Sequence, residues 1–349
     1  MRINGSSLAS LVSLADLIVD EKVEKAGVYG VLHFLKDGYV VGGNGYIDIE
    51  VKTNLSDIEP FSLPASKFVQ ALKIINKSFE YDLSIVDNRA VIKGGGVSIK
   101  FNLVEGKADS FKRISEVFAD RKSSGSIEGD KLVALPRLLK IALAGESMLE
   151  LKTVLFKSDG AFSTDRVRIA WCNSKVVNIP ESESMIVTAS GLNNVLSLIK
   201  EKVVSIAVDS SKVYMDIGDD MYIGLLSYDV EYPDVLSVIA KNKSKVSEFI
   251  KLDSSIMDSV KNVVSIVDSG DVVLLVVEKG ELRIEVSSVR GIEWKQVLAK
   301  VNTVNEYKAK VLARDLDGVI GGVVELGFAG DILYAKSVEG VEYIIACVL

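Results

Sequence analysis

Apolar residues along this 349-residue chain come in short bursts, not long runs. Val31-Leu32-His33-Phe34 and Val272-Val273-Leu274-Leu275-Val276-Val277 are examples, and both read as strands. Three stretches switch to a helical period. Phe68, Ala71, Leu72 and Ile75 form an i, i+3, i+4, i+7 stripe. Leu192, Val195, Leu196 and Ile199 repeat it 124 residues later, and Leu316, Val319, Ile320 and Val323 after 124 more. Each stripe follows a short strand, and Ala65, Ala189 and Ala313 keep the same spacing. No apolar run approaches the ~18 residues of a spanning helix, so the pattern predicts no membrane partner.

Turn signals repeat with the stripes. Lys36-Asp37-Gly38, Ser158-Asp159-Gly160 and Glu278-Lys279-Gly280 sit between β-rich runs and predict hairpins. Later hairpins are predicted at Asp87-Asn88, Asp209-Ser210 and Gly330-Asp331. Each copy thus predicts a short strand, a helix, two or three strands, a second helix and three strands. The first helices are placed at Ser6 to Val19, from Pro136, and from the N-cap candidates Asp253-Ser254. Polar linkers at Lys122-Ser123-Ser124-Gly125 and Ala240-Lys241-Asn242-Lys243-Ser244 give three α+β domains, 1–122, 126–240 and 245–349. A period this long is a tandem duplication of whole domains, not a solenoid. Such pseudo-symmetry suggests a ring or an arc.

The polar faces of these helices collect cations. The set is Lys73 and Lys77 in copy one, Arg137, Lys140 and Lys200 in copy two, and Lys261 and Arg314 in copy three. Asp16, Asp258 and Asp317 are the acidic exceptions. A solvated helix face explains each helix taken alone. Recurrence on one face instead suggests a surface tracking a phosphate backbone without reading sequence. The whole chain carries 48 acids and 41 bases, a net charge of −7, so any polyanion-binding surface is local.

Candidate chemistry is sparse. One histidine, His33, and two cysteines, Cys172 and Cys347, exclude a disulfide framework and any site needing two imidazoles. Gly94-Gly95-Gly96 lacks the Lys-Ser/Thr ending of a phosphate loop, and no helix follows Gly42-Gly43-Asn44-Gly45. Both predict turns. Asp165 lacks a second acid or metal ligand in its segment. No catalytic residue, metal or cofactor is predicted. The N-terminus has no signal-peptide pattern, which predicts a cytoplasmic protein.

The segment Ser163-Thr164-Asp165-Arg166-Val167-Arg168-Ile169-Ala170 resembles the Thr-Asp-Gly-His-Arg-Leu-Ala segment of bacterial-type DNA sliding clamps, the DNA polymerase III beta subunits. Tyr232-Pro233-Asp234 is similar to that family's Phe-Pro-Asp, and both termini look alike. The resemblance implies a head-to-tail homodimer whose six domains ring duplex DNA, with helices lining the hole. It implies processivity rather than catalysis, with a DNA polymerase and a clamp loader as peptide-bearing partners. The implied peptide pocket, between the middle and last domains, comprises Leu151, Thr164, Arg168, Ile169, Ala240, Ile345, Cys347, Val348 and Leu349. Three departures stand out. Arg166-Val167 replaces the family's Gly-His, Ala240 replaces a proline, and the tail is shortened to Ala346-Cys347-Val348-Leu349. Such divergence fits a clamp encoded by a phage or another mobile replicon, acting in the bacterial cytoplasm or the infected cell.

Two other readings compete: a β-rich assembly protein built by the same triplication, and an enzyme using carboxylates in a cleft. A clamp segregates its cations on one surface. An assembly module has no reason to do so, and an enzyme clusters perturbed acids.

Overall fold

A computed structural model of the chain describes residues 2–19, 30–55, 58–104, 113–120, 125–144, 148–181, 183–200, 202–209, 211–288 and 290–348. Leu349, Ser210 and Lys122-Ser123-Ser124 of the first linker lie outside the described residues.

The first repeat runs β1 (Arg2–Asn4), α1 (Gly5–Leu17), β2 (Val31–Phe34), β3 (Tyr39–Gly43), β4 (Ile47–Lys52), β5 (Phe61–Pro64), α2 (Ala65–Leu72), β6 (Glu80–Val86), β7 (Arg89–Gly94) and β8 (Val97–Asn102). Helix α3 (Ile114–Asp120) follows. The second repeat has β9 (Gly125–Glu128), α4 (Leu135–Ala144), β10 (Thr153–Lys157), β11 (Gly160–Thr164), β12 (Arg168–Cys172), a short β13 (Val177–Asn178), β14 (Ser184–Thr188), α5 (Ala189–Ile199), β15 (Val203–Val208), β16 (Lys212–Gly218) and β17 (Met221–Leu226). Helix α6 (Val235–Lys243) leads into the third. That repeat has β18 (Phe249–Lys251), α7 (Ser254–Ile266), β19 (Val272–Glu278), β20 (Glu281–Ser287), β21 (Glu293–Lys300), β22 (Tyr307–Leu312), α8 (Ala313–Leu316), β23 (Val323–Phe328), β24 (Ile332–Ser337) and β25 (Glu342–Ala346). The common order is strand, helix, four strands, helix, three strands, with the short β13 added in the second repeat. The hairpin turns at Asp37-Gly38, Asp87-Asn88, Asp159-Gly160, Lys279-Gly280 and Gly330-Asp331 fall where the turn residues predict. No helix among the described residues is long and apolar enough to cross a membrane.

Each repeat builds two antiparallel sheets, and sheets of successive repeats fuse edge to edge. Strand β4 pairs with β17, through Val51↔Met221, Ile49↔Ile223 and Ile47↔Leu225. Strand β12 pairs with β25, through Arg168↔Ile345 and Ile169↔Ile344. The order β13-β9-β15-β16-β17-β4-β3-β2-β5 makes one sheet, and β14-β10-β11-β12-β25-β24-β23-β18 another. Two four-stranded sheets remain, β1-β6-β7-β8 and β21-β20-β19-β22. Contacts divide the chain into two compact units, Met1–Gly129 with Asn178–Pro180 and Gly191–Asp229, and Asp130–Val177 with Glu181–Ser190 and Val230–Leu349. The second repeat is shared between them because each of its sheets continues into a neighbouring repeat.

The apolar stripes are the core. Leu8, Leu11 and Leu14 of α1 are buried, as are Phe68 and Leu72 of α2, Leu138 and Leu139 of α4, and Met257 and Val260 of α7. Burying each such side chain is worth about 1.5–3 kcal/mol. Asn4 caps α1 by accepting from the Ser7 N–H at 2.7 Å, and Asp253 caps α7 by accepting from Ser255 N–H at 2.9 Å.

Three features differ from the sequence expectations. Four strands, not two or three, lie between the two helices of the first and third repeats, and five in the second. In the predicted linker 240–244, residues 240–243 form the end of α6 and Ser244 is its C-cap. Asp234 caps that helix by accepting from Ser237 N–H at 3.2 Å, and its apolar Val235 and Ile239 pack into a core. The third stripe is buried as predicted but is not a helix along its length. Helix α8 ends at Leu316, and Gly318 and Gly322 take positive φ values of +75° and +68°. The chain turns there, and Val323 opens β23.

Candidate functional site

The turn between β11 and β12 organises a buried polar cluster in the second unit. Thr164 Oγ1 donates to the Arg168 carbonyl at 2.8 Å and accepts from Arg166 N–H at 3.2 Å. Asp165 accepts from the backbone N–H groups of Val167 at 3.1 Å and Arg168 at 2.7 Å. Its other oxygen lies 2.6 Å from Arg168 Nη2. Arg168 Nη1 then donates to the carbonyls of Arg314 at 3.2 Å and Asp317 at 3.3 Å. A buried guanidinium thus fastens the turn to the end of α8. Beside it opens a pocket of about 370 Å³, with Ala144, Leu151 and Val167 as its carbon surface and Arg166, Arg168, Arg314, Asp165 and Asp315 as its polar groups. Burial raises the Asp315 carboxyl above its ordinary pKa, against the pull of Arg168 and Arg314.

The resemblance-derived pocket residues separate at this point. Leu151 and Arg168 line the pocket, and Thr164 belongs to the turn beside it. Ile169 faces the opposite side of the sheet, because side chains alternate along a strand. There it packs with Trp171, Ile344, Tyr334, Val246, and Val235 and Ile239 of α6. Tyr232 seats the start of that helix by donating to the Phe162 carbonyl at 3.3 Å. Ile345, paired in register with Arg168, lies on the other face from Ile169. Ala240 is exposed on α6. The tail returns to the turn: Ala346 N–H donates to the Val167 carbonyl at 3.0 Å, Cys347 N–H to Asp331 at 2.9 Å and Val348 N–H to Lys310 at 2.7 Å. Burial, helped by nearby Asp331, pushes the Cys347 thiol up to about 11.

The predicted cations also sort by environment. Lys77 and Lys200 are exposed, just past the ends of α2 and α5. Lys73 is exposed with Asp16 3.7 Å away. Lys140 and Lys261 are exposed, and their aliphatic stems lie over Gly318 and Gly321, where a Cβ would approach them to 3.1 Å. Arg137 is half-buried and paired. Its Nε sits 2.8 Å from Glu339 Oε2, and Nη1 donates to the Val319 carbonyl at 3.3 Å. Arg314 is exposed but lines the pocket. Among the described residues no group of His, Cys, Asp and Glu side chains is arranged to hold a metal ion.

Solved structures sharing this architecture span the entire chain. The DNA polymerase III subunit beta from Pseudomonas aeruginosa superposes with a TM-score of 0.80 at 15% identity, covering 100% of this chain and 99% of that one. The fold is that of a bacterial sliding clamp. The Bacillus subtilis DNA polymerase sliding clamp gives a TM-score of 0.80 at 16% identity, covering 100% and 98%. The Helicobacter pylori beta clamp bound to a DNA ligase peptide gives 0.76 at 17%, covering 100% of both. No protein-family model matches the sequence, and no curated protein matches it.

Within this clamp fold, several contributors escaped sequence reasoning. Ile344, not Ile345, shares a face with Ile169; strand alternation carried that information, given the register. Asp165 and Arg168 stand at i, i+3 in one turn, a legible pairing. The partnership of Arg137 with Glu339 spans 202 residues and left no local signal.

Proposed function

We propose that this chain is a DNA sliding clamp: a non-enzymatic processivity factor that encloses duplex DNA and tethers a polymerase and other partners. The observation carrying this reading is full-length agreement with the clamp fold, at 15–17% identity. A second feature supports the homodimer. Inside the chain, β4 joins β17 and β12 joins β25, in each case the third strand of a repeat's middle set with the last strand of the next repeat. By the same rule β21 needs a last strand, and β8 is the last strand lacking a partner sheet. A second copy supplies it head to tail.

Three domains, 1–122, 126–240 and 245–349, then count to six in the dimer. Lys73, Lys77, Lys140, Lys200 and Lys261 are the proposed lining, giving sequence-independent, salt-sensitive contact. Arg137 contributes to the lining only through the fold that it braces. Partner peptides, including those of a clamp loader, dock around the β11–β12 turn and the tail, with Leu151, Thr164, Arg168 and 345–348 as the proposed contacts on the turn side and Ile169 supporting them from the other face of the sheet. The altered turn and tail suit a clamp serving a mobile replicon with its own partners, in the bacterial cytoplasm.

The test is topological. Protein loaded on circular DNA is expected to slide off once the circle is cut. Retention after linearisation overturns the enclosure reading.

A further inference from the structure

The β11–β12 turn carries a conformational oddity. Arg166 sits at φ +77°, left-handed backbone that a long side chain rarely adopts. The family that this segment resembles has glycine at that place. Among the described residues, the Arg166 guanidinium reaches only the Met148 sulfur. Across the pocket, Arg314 is exposed on α8, and among the described residues its one ion-pair partner is Asp315 at 3.8 Å. Asp165 cannot neutralise either, since Arg168 and two backbone N–H groups occupy both its oxygens. The pocket therefore sets three guanidiniums against two carboxylates, around the carbon surface of Leu151, Val167 and Ala144.

From this charge complementarity we propose that the pocket selects a partner peptide with an acidic side chain beside its apolar anchor, the carboxylate being taken by Arg166 and Arg314. The proposal rests on the peptide-pocket reading above and adds its specificity. Guanidiniums bind carboxylates through paired, directional hydrogen bonds, and an apolar floor shields that contact from water. A nucleic-acid phosphate fits less well. It gains nothing from Leu151 and Val167, and it meets Asp165 and Asp315.

The experiment uses the full chain and fluorescent apolar hexapeptides, made in pairs that differ only by Glu or Gln at one position. Fluorescence anisotropy is expected to show the Glu member binding about tenfold tighter at one position, a preference that fades with added salt. Arg166→Gln and Arg314→Gln should each reduce this Glu-over-Gln preference to about threefold or less. Both residues are exposed, and circular dichroism checks that each variant folds. Equal binding of Glu and Gln peptides to the unmodified protein overturns the acidic preference alone. Loss of duplex-DNA affinity in the variants, with the peptide preference intact, overturns it too and assigns these cations to DNA. Failure of every hexapeptide to bind overturns the preference together with the peptide-pocket reading.

Discussion

Arg137 Nε lies 2.8 Å from a carboxylate oxygen of Glu339, 202 residues further along the chain. Burial alone would raise the Glu339 pKa, yet hydrogen bonds from Arg137 hold it below the ordinary carboxylate value. The pair is half-buried, so it is structural. Arg137→Ala is expected to cost about 1–3 kcal/mol of stability. The salt dependence of DNA binding should not change. Urea unfolding checks the first part, and a salt titration of DNA affinity the second.

Lys73 and Lys77 should behave the opposite way. Replacing both with Glu is expected to weaken DNA binding and flatten its salt dependence, by about 0.9 in the log–log slope for each phosphate no longer neutralised. Unfolding midpoints should barely move, because exposed charges contribute little to stability. An unchanged slope removes these residues from the lining.

Arg168 is a buried cation with a buried partner. Arg168→Met leaves Asp165 uncompensated and the carbonyls at the end of α8 without their donor. Breaking such a pair costs about 3–5 kcal/mol. A fall in thermal midpoint of several degrees is the expected result, and a midpoint equal to that of the unmodified protein contradicts the account of the turn.

His33 supplies the pH dependence. It is buried in β2, with Nδ1 2.8 Å from Ser62 Oγ, and burial lowers its pKa below the ordinary 6.5. The unfolded chain therefore binds this proton more readily than the folded one. His33 contributes no penalty above pH 6.5, and stability declines as the pH falls from 6.5 through the lowered folded value. It is the sole histidine in the chain, so one proton NMR resonance follows it. A midpoint at or above 6.5 contradicts the burial effect.

The dimer makes a mass prediction. At high concentration, sedimentation should give twice the 37.8 kDa of one chain. A mass that stays at one chain across the accessible concentrations counts against β8–β21 pairing.

Much of this architecture was written locally. The 124-residue recurrence of apolar stripes located the three repeats, and glycine- and aspartate-bearing turns located the hairpins. Asp253 identified its own helix as a cap. The sequence was less explicit where structure depends on distant partners. Residues 240–244 look polar enough for a linker, yet Val235 and Ile239, just before them, bind one face of α6 to the sheet. The stripe from Leu316 to Val323 kept its burial and lost its helix, because glycine backbone at 318 and 322 turns the chain. The site was legible as a segment, 163–170, but not as two faces. Alternation sends Arg168 and Ile169 to opposite sides, and only the β12–β25 register shows which tail residue accompanies each. Cations on one predicted face likewise could not reveal that Arg137 was already paired.

The edge-to-edge fusion of sheets has a kinetic corollary. Two of the joints, β4–β17 and β12–β25, connect parts of one covalent chain, so their partners never diffuse apart. Tethering of this kind is equivalent to partner concentrations in the millimolar range. The proposed β21–β8 joint has the same hydrogen-bonding logic but no tether, and its occupancy follows the number of chains present. Dilution, or a protein that pries strands apart, therefore finds one class of seam to open, and the polypeptide stays continuous across all the others.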